Sequence, residues 1–238
     1  MSTLPYDRVL LKLSGEQLSG KFESGIDSEF GAWLAGEIKK VVNKGIQVVI
    51  MVGGGNYARG AQLAGHGIQR VTADNIGMLA TMMNGLALAD ICNAHDLPAL
   101  VITNIKADQV ADQFTHRRAE SHLAKGRVVI VAGGIGRPYL TTDTAAVALA
   151  LELDCHVVLK ATKVDGVYDK DPAKHKSAKK LDKISFQDAV ADDAIRVMDK
   201  AALGLAMEHS LPIVVFNATE PDTILKAAHG DSTGTFIG

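Results

Sequence analysis

Six short stretches of this chain are apolar almost from end to end: 8–13 (RVLLKL), 46–52 (IQVVIMV), 99–103 (ALVIT), 127–132 (RVVIVA), 156–160 (HVVLK) and 212–216 (PIVVF). A strand with one wet face alternates polar and apolar residues. One that is apolar at nearly every position must be covered on both faces, as in a mainly parallel sheet with helices above and below. The intervening segments supply those helices. Phe30, Trp33, Leu34, Ile38, Val41 and Val42 recur at three- and four-residue intervals, which predicts an amphipathic helix with Ser28 as N-cap and Gly45 past its end. Further helices are expected over 74–95, 119–125, 142–153, 200–210 and 221–228, and a short edge strand over 233–237. The Lys- and Asp-rich stretch 169–183 reads as a surface loop. The expected fold is α/β, a three-layer α/β/α sandwich around a mainly parallel sheet, formed as one domain over 1–238. Ligands then belong beyond the carboxyl ends of the strands.

Charge narrows the ligand. Lys plus Arg (25) nearly balance Asp plus Glu (27), a net charge of -2, so no general attraction to nucleic acid or to an acidic membrane is expected. Any phosphate site must be local. Cys92 and Cys155 are too few for a disulfide framework and fit a reducing cytosol. The first apolar run is broken by Arg8 and Lys12, which argues against a signal peptide, and no stretch approaches the ~18 uninterrupted apolar residues of a membrane span. A cytoplasmic location is expected.

The glycines cluster where strands end. Gly15 to Lys21 (GEQLSGK) approximates a phosphate-binding P-loop, but Phe22 stands where a hydroxyl should meet magnesium. Gly53 to Ala58 (GGGNYA) fits a dinucleotide fingerprint, with Asp74 about 20 residues on. That acid should end a second strand, however, and the residues around Asp74 look like the start of a helix. What remains is simpler: consecutive glycines let backbone N–H groups converge on an anion, and Arg59 adds a charged planar fork. A glycine-rich turn beside an exposed arginine is an equal reading of that segment alone.

The arrangement recurs. Lys12 lies in an apolar strand that ends in Ser14-Gly15; burying its ammonium is costly without an anion to face, unless it snorkels from an edge strand. Gly133 to Asp143 (GGIGRPYLTTD) joins a strand, a glycine turn, two hydroxyls and a carboxylate, although Thr141 or Thr142 also suits a helix cap and Asp143 a helix dipole. Lys160 ends another apolar strand, followed by Thr162, Tyr168 and Asp171; there Tyr168 suits stacking on a base and Asp171 a ribose hydroxyl, against the plainer reading of an Asp-Gly turn. Lys12, Arg59 and Lys160 with Asp143 among them form a set suited to bringing two phosphate groups together.

Lys12 through Glu16, Gly53 through Asn56 with Arg59-Gly60, Thr141-Thr142-Asp143, and Lys160 through Tyr168 with Asp171-Pro172 together resemble the amino acid kinase superfamily. With the stretch 78–86 (MLATMMNGL), the chain is similar from end to end to the bacterial UMP kinase (uridylate kinase) family. The resemblance implies an acetylglutamate-kinase-like fold and a magnesium-dependent transfer of the ATP γ-phosphate to UMP, a step of de novo pyrimidine biosynthesis. It also implies a homohexamer, activation by GTP and inhibition by UTP. Position by position, it assigns ATP to Lys12, Leu13, Ser14, Gly15, Gly55, Arg59, Thr162, Tyr168 and Asp171. UMP goes to Gly54, Asp74 and the run Ile135-Gly136-Arg137-Pro138-Tyr139-Leu140-Thr141-Thr142. Lys12, Arg59 and Lys160 form the catalytic set, with Asp143 orienting both amines. By the same resemblance 1–155 carries mainly UMP binding and subunit contacts, and 156–238 mainly ATP binding.

The chain departs from that family in places. Where the family often puts Arg and His for its activator, this sequence has Ala89, Asn93 and Leu100. Basic residues stand instead at His116-Arg117-Arg118, with Arg127 retained, so GTP phosphates are expected at Arg117, Arg118 or Arg127; solvated helix-start charges are the alternative. The loop from Gly20 to Gly25 also differs. Two other functions remain open at this level: a superfamily enzyme phosphorylating a carboxylate or carbamate, and a non-catalytic nucleotide sensor.

Overall fold

The computed structural model describes residues 6–58, 63, 67–170, 174–192, 195 and 197–238. Its strands are β1 (Arg8–Leu13), β2 (Gln47–Val52), β3 (Ala99–Thr103), β4 (Asp112–Gln113), β5 (Val128–Ala132), β6 (Val157–Thr162), β7 (Val167–Tyr168), β8 (Lys180–Leu181), β9 (Lys183–Ile184), β10 (Ile213–Asn217) and β11 (Thr235–Ile237). Nine of them form one sheet in the order β4-β3-β5-β2-β1-β6-β10-β11-β9. Every pairing is parallel except that of β10 with β11. All six apolar runs are strands of this sheet, as their composition predicts. The C-terminal strand is not an edge, because β9 pairs beyond it. The stretch read as a surface loop supplies β9 and also β8, which forms a small antiparallel ribbon with β7.

The helices are α1 (Gly15–Leu18), α2 (Ser28–Val42), α3 (Arg70–Ala94), α4 (His116–Leu123), α5 (Thr142–Glu152), α6 (Phe186–Ala191), α7 (Lys200–Glu208) and α8 (Thr223–Ala228). Asp27, not Ser28, caps α2: its carboxylate accepts from the N–H groups of Glu29 (3.0 Å) and Phe30 (3.3 Å). Ser28 is already the first helical residue. α3 starts four residues before the sequence suggests, which puts Asp74 inside the helix. Among the described residues α3 alone is long and apolar enough to span a membrane by length and composition, and half of its apolar window is buried in the fold.

Two apolar layers sandwich the sheet, and strand alternation decides which residue serves which layer. Val9, Leu11 and Leu13 face the layer built with α2, α3 and α8. Leu10, Met51 and Val158 face the opposite layer, filled by Ala145, Ala146, Leu149 and Ala150 of α5. Counting by twos from Leu10 and Val158 reaches Lys12 and Lys160, so both lysines point toward α5. Small side chains on α5 let that helix lie close against β1 and β2, which brings its N-terminus over the two amines.

Candidate active site

β5, β2, β1 and β6 are consecutive in the sheet and run in one direction, so the chain segments that follow them emerge side by side. They enclose a cavity of about 670 Å³, closed on its other sides by α3 and the start of α5. Lys12, Lys160, Lys163, Arg70 and Arg137 line it, against the carboxylates Glu16, Asp74, Asp143 and Asp199.

Lys12 and Lys160 are paired neighbours across β1 and β6. Their ammonium groups close on one carboxylate: Lys12 Nζ lies 2.7 Å from Asp143 Oδ1, and Lys160 Nζ 2.8 Å from Asp143 Oδ2. Lys160 also donates to the carbonyl of Val197. Lys12 is only 8% exposed, so the snorkelling alternative does not hold. Thr141 caps α5, its hydroxyl accepting from Asp143 N–H (3.0 Å) and Thr144 N–H (3.4 Å), and so fixes the carboxylate in the first helical turn. The Thr141 and Thr144 hydroxyls in turn donate to Asp199, which caps α7 by accepting from Ala202 N–H.

Burial pushes the Asp143 carboxyl up, but Lys12 and Lys160 outweigh it and hold the group below its ordinary value. Burial pushes the Lys160 ammonium down from the ordinary 10.5; Asp143 opposes this and the like charge of Lys12 adds to it. For Asp143 the stabilisation is present above the ordinary carboxylate range and is lost as pH falls through the lowered pKa. For Lys160 the sign reverses: the folded state holds its proton less tightly than the unfolded chain, so raising pH between the lowered value and 10.5 relieves a penalty. The functional consequence is an early alkaline limb. kcat/KM should fall at a pH below that of an ordinary lysine, while the limb in kcat should lie higher, because a bound polyphosphate favours the ammonium. Lys160→Arg should remove the limb; pH profiles of both parameters test this, and coincident limbs would count against Lys160 as the titrating group.

The glycine turns are packed as tightly as they are exposed to the cavity. A Cβ on Gly15 would stand 2.4 Å from Asn56 Oδ1 and 2.7 Å from the Gly55 nitrogen, and one on Gly54 would stand 2.7 Å from the Gly77 carbonyl. No described residue accepts from the N–H groups of Gly54 or Gly55, which leaves them as donors for an anion. Gly15→Ala should therefore cost about 1–3 kcal/mol and lower turnover together, because backbone has to move apart. Unchanged Tm and kcat would show that the loops yield freely.

Where α3 lines the cavity, Asp74 is held by Arg70 one helical turn earlier (2.8 Å) and accepts from Tyr139 N–H (2.8 Å). Tyr139 has a φ of 68°, a left-handed conformation unusual for a bulky residue, and its ring packs under the Arg70 guanidinium at 5.2 Å.

Of the residues assigned to ATP, Lys12, Ser14, Gly15, Gly55 and Thr162 line the cavity. Leu13 is buried in the core and offers only backbone. The Thr162 hydroxyl turns away to bond Val164 and Phe216 carbonyls. Tyr168 lies on β7, outside the lining, and donates to Asp165 at 2.7 Å. Arg59 and Asp171 fall outside the described residues. Of those assigned to UMP, Gly54, Asp74, Arg137, Leu140, Thr141 and Thr142 line the cavity; Gly136, Pro138 and Tyr139 do not, and Ile135 packs on the core. Arg117, Arg118 and Arg127 lie away from it, Arg118 bonding the Gln113 carbonyl and Arg127 approaching His122 at 3.3 Å. Ala89 is buried, and the Asn93 amide is used on the backbone of Ala89 and Ala99. Sequence reasoning gave no role to Arg70, Thr81 and Asp199, which line the cavity, to Gln17, whose amide links Ser14 N–H to the Thr162 carbonyl, or to Asn84, which donates to the Gly53 carbonyl. Arg70 and Asp74 at i,i+4, and Thr81 and Asn84 at i,i+3 in the otherwise apolar stretch 76–89 of α3, were the available signals.

Residues 7–217 match the model of the amino acid kinase family. The fold superposes on UMP kinase from Bacillus anthracis with a TM-score of 0.93 at 41% identity, covering 98% of this chain and 96% of that one. UMP kinase from Ureaplasma parvum gives 0.90 at 33% identity, covering 98% of each chain. Uridylate kinase from Archaeoglobus fulgidus gives 0.76 at 30%, covering 97% of this chain and 99% of that one. With its lysine pair, its parallel sheet and these likenesses running nearly its whole length, the chain belongs to the amino acid kinase family and, within it, to the UMP kinases.

Proposed function

We propose that the protein transfers the γ-phosphoryl group of ATP to UMP, giving UDP. The observation that carries this is the meeting of two buried lysines on one carboxylate, at the floor of a cavity edged by glycine turns. The UMP phosphate has a second pKa near ~6, so around pH 7 it is already mostly an anion and needs no general base. The barrier is repulsion between two polyanions. Phosphoryl transfer leaves a protein little covalent work, so positioned cations and backbone donors supply the catalysis. Lys12 and Lys160 take that role, with Asp143 spacing their amines; the resemblance adds Arg59 as a third cation, four residues past Gly55 in the sequence. ATP takes the side of the cavity lined by Ser14, Gly15, Gly55 and Thr162, with its nucleoside extending beyond that lining to Tyr168; Asp171 is assigned to the ribose by the sequence and its resemblance alone. UMP takes the side of Gly54, Asp74 and residues 135–142.

Among the described residues no three His, Cys, Asp or Glu cluster as a metal site, and Asp143 is committed to its lysines. That donor set fits a magnesium ion carried by nucleotide oxygens and water, whose hydration shell Glu16 and Asp199 of the cavity lining would help to hold. When bound, such an ion neutralises charge on the transferring phosphates.

A coupled assay with ATP and UMP, CMP, glutamate or carbamate tests the substrate: turnover with UMP is expected, and phosphorylation of a carboxylate or carbamate instead would overturn it. Nucleotide binding without turnover would favour the sensor. The same reading places the enzyme in the cytoplasm, in pyrimidine nucleotide synthesis, as a homohexamer activated by GTP and inhibited by UTP. The buried Ala89 and the occupied Asn93 amide support GTP phosphates meeting Arg117, Arg118 or Arg127 instead. Equal GTP activation of wild type and an Arg117→Ala/Arg118→Ala variant would reject that placement.

A further inference from the structure

Two polar side chains lie one turn apart on the buried face of α3, Thr81 (2% exposed) and Asn84 (0%). Each reaches a different glycine turn. Asn84 Nδ2 donates to the Gly53 carbonyl (2.7 Å) and to Asn56 Oδ1 (2.7 Å), while Asn84 Oδ1 accepts from Asn56 Nδ2 (2.9 Å). Asn56 Nδ2 also donates to the Gly25 carbonyl at 2.6 Å. The paired amides therefore satisfy one another and grip the turn after β2. Thr81 Oγ1 accepts from Gly133 N–H at 2.7 Å and donates to the Met78 carbonyl at 2.7 Å, gripping the turn after β5. Neither side chain is needed to form a helix, and an apolar residue would fill either position without bringing a polar atom to be satisfied. Their bonds go to the two turns that edge the cavity, and Gly54 approaches the same helix closely enough to exclude a Cβ.

We propose that Thr81 and Asn84 are positioning residues: this face of α3 sets the separation of the two glycine turns, and with it the alignment of donor and acceptor phosphates. The inference rests on the phosphoryl-transfer reading above. Phosphoryl transfer depends steeply on such alignment, and a shift of about 1 Å costs up to about 10²-fold.

The test is steady-state kinetics of the full chain with ATP and UMP, with thermal melts to verify folding. Thr81→Val keeps the shape and removes the acceptor for Gly133 N–H, Thr81→Ser keeps the hydroxyl, and Asn84→Ala removes the amide pair. Thr81→Val and Asn84→Ala should lower kcat by about 10- to 100-fold while KM for ATP stays within about threefold, and Thr81→Ser should return kcat to within about threefold of wild type. Thr81→Ser as impaired as Thr81→Val would assign the effect to methyl packing and overturn the proposal. So would kcat within about twofold of wild type in Thr81→Val and Asn84→Ala. If Asn84→Ala does not fold, the Thr81 pair decides. A wild type inactive on UMP overturns the reading and the inference together; an active wild type with unaffected variants overturns the inference alone.

Discussion

Replacing Lys12 with alanine should lower kcat about 10²–10³-fold, the loss seen when one preorganised transition-state donor is removed. The ammonium is buried beside Lys160 and faces the cavity from the floor of the sheet. In that setting a charge acts in a low-dielectric surrounding and needs no reorganisation as the phosphoryl group moves. The variant still folds, because Asp143 keeps Lys160 as a partner. KM for ATP should change less than kcat, since an interaction strongest in the transition state appears in kcat. Lys12→Arg should not rescue: a planar guanidinium does not reproduce the compact point charge that the ammonium sets against Asp143. An unchanged kcat in Lys12→Ala would remove Lys12 from the chemistry.

Asp143→Ala should be worse for the fold. It leaves two ammonium groups facing each other under α5 with no counter-ion between them, and breaking a buried ion pair from one side typically costs about 3–5 kcal/mol. The protein's remedy is to release a proton from one lysine, so turnover near neutral pH should fall at least about 10²-fold as a transition-state cation is lost. Asp143→Asn keeps the shape and one acceptor, so it should unfold later than Asp143→Ala yet remain poorly active. Denaturant melts with kcat for the three proteins give the ranking. If Asp143→Ala were no less stable than Lys12→Ala, the carboxylate would not be holding the two amines together.

What was legible in the chain was whatever carries a local energetic signature. The six apolar runs became strands within a residue or two, because a stretch without polar alternation has few other places to go. Lys12 stood out because an ammonium in such a stretch needs a partner. By contrast β4, β7, β8 and β9 are two residues long, too short to carry any pattern. That β11 is interior depends on β9 adding beyond it, a non-local event. Thr81 and Asn84 entered only as part of the family-like stretch 78–86 and were given no role, because what a polar residue in a helix does is hidden until its neighbours are known. Tyr168 was expected among the ATP residues, and lies on the β7–β8 ribbon bonded to Asp165, outside the cavity lining.

Strand alternation alone determined that Lys12 shares a face with Leu10 and Lys160 with Val158, and the glycine-rich strand ends determined where backbone can approach an anion. Only the tertiary structure decided that β1 and β6 are neighbours in register, that α5 lies over that face, and that one carboxylate takes both amines. The reason is distance along the chain: pairings between residues far apart in sequence are selected by burial of the two apolar layers as a whole, and no local window contains that information.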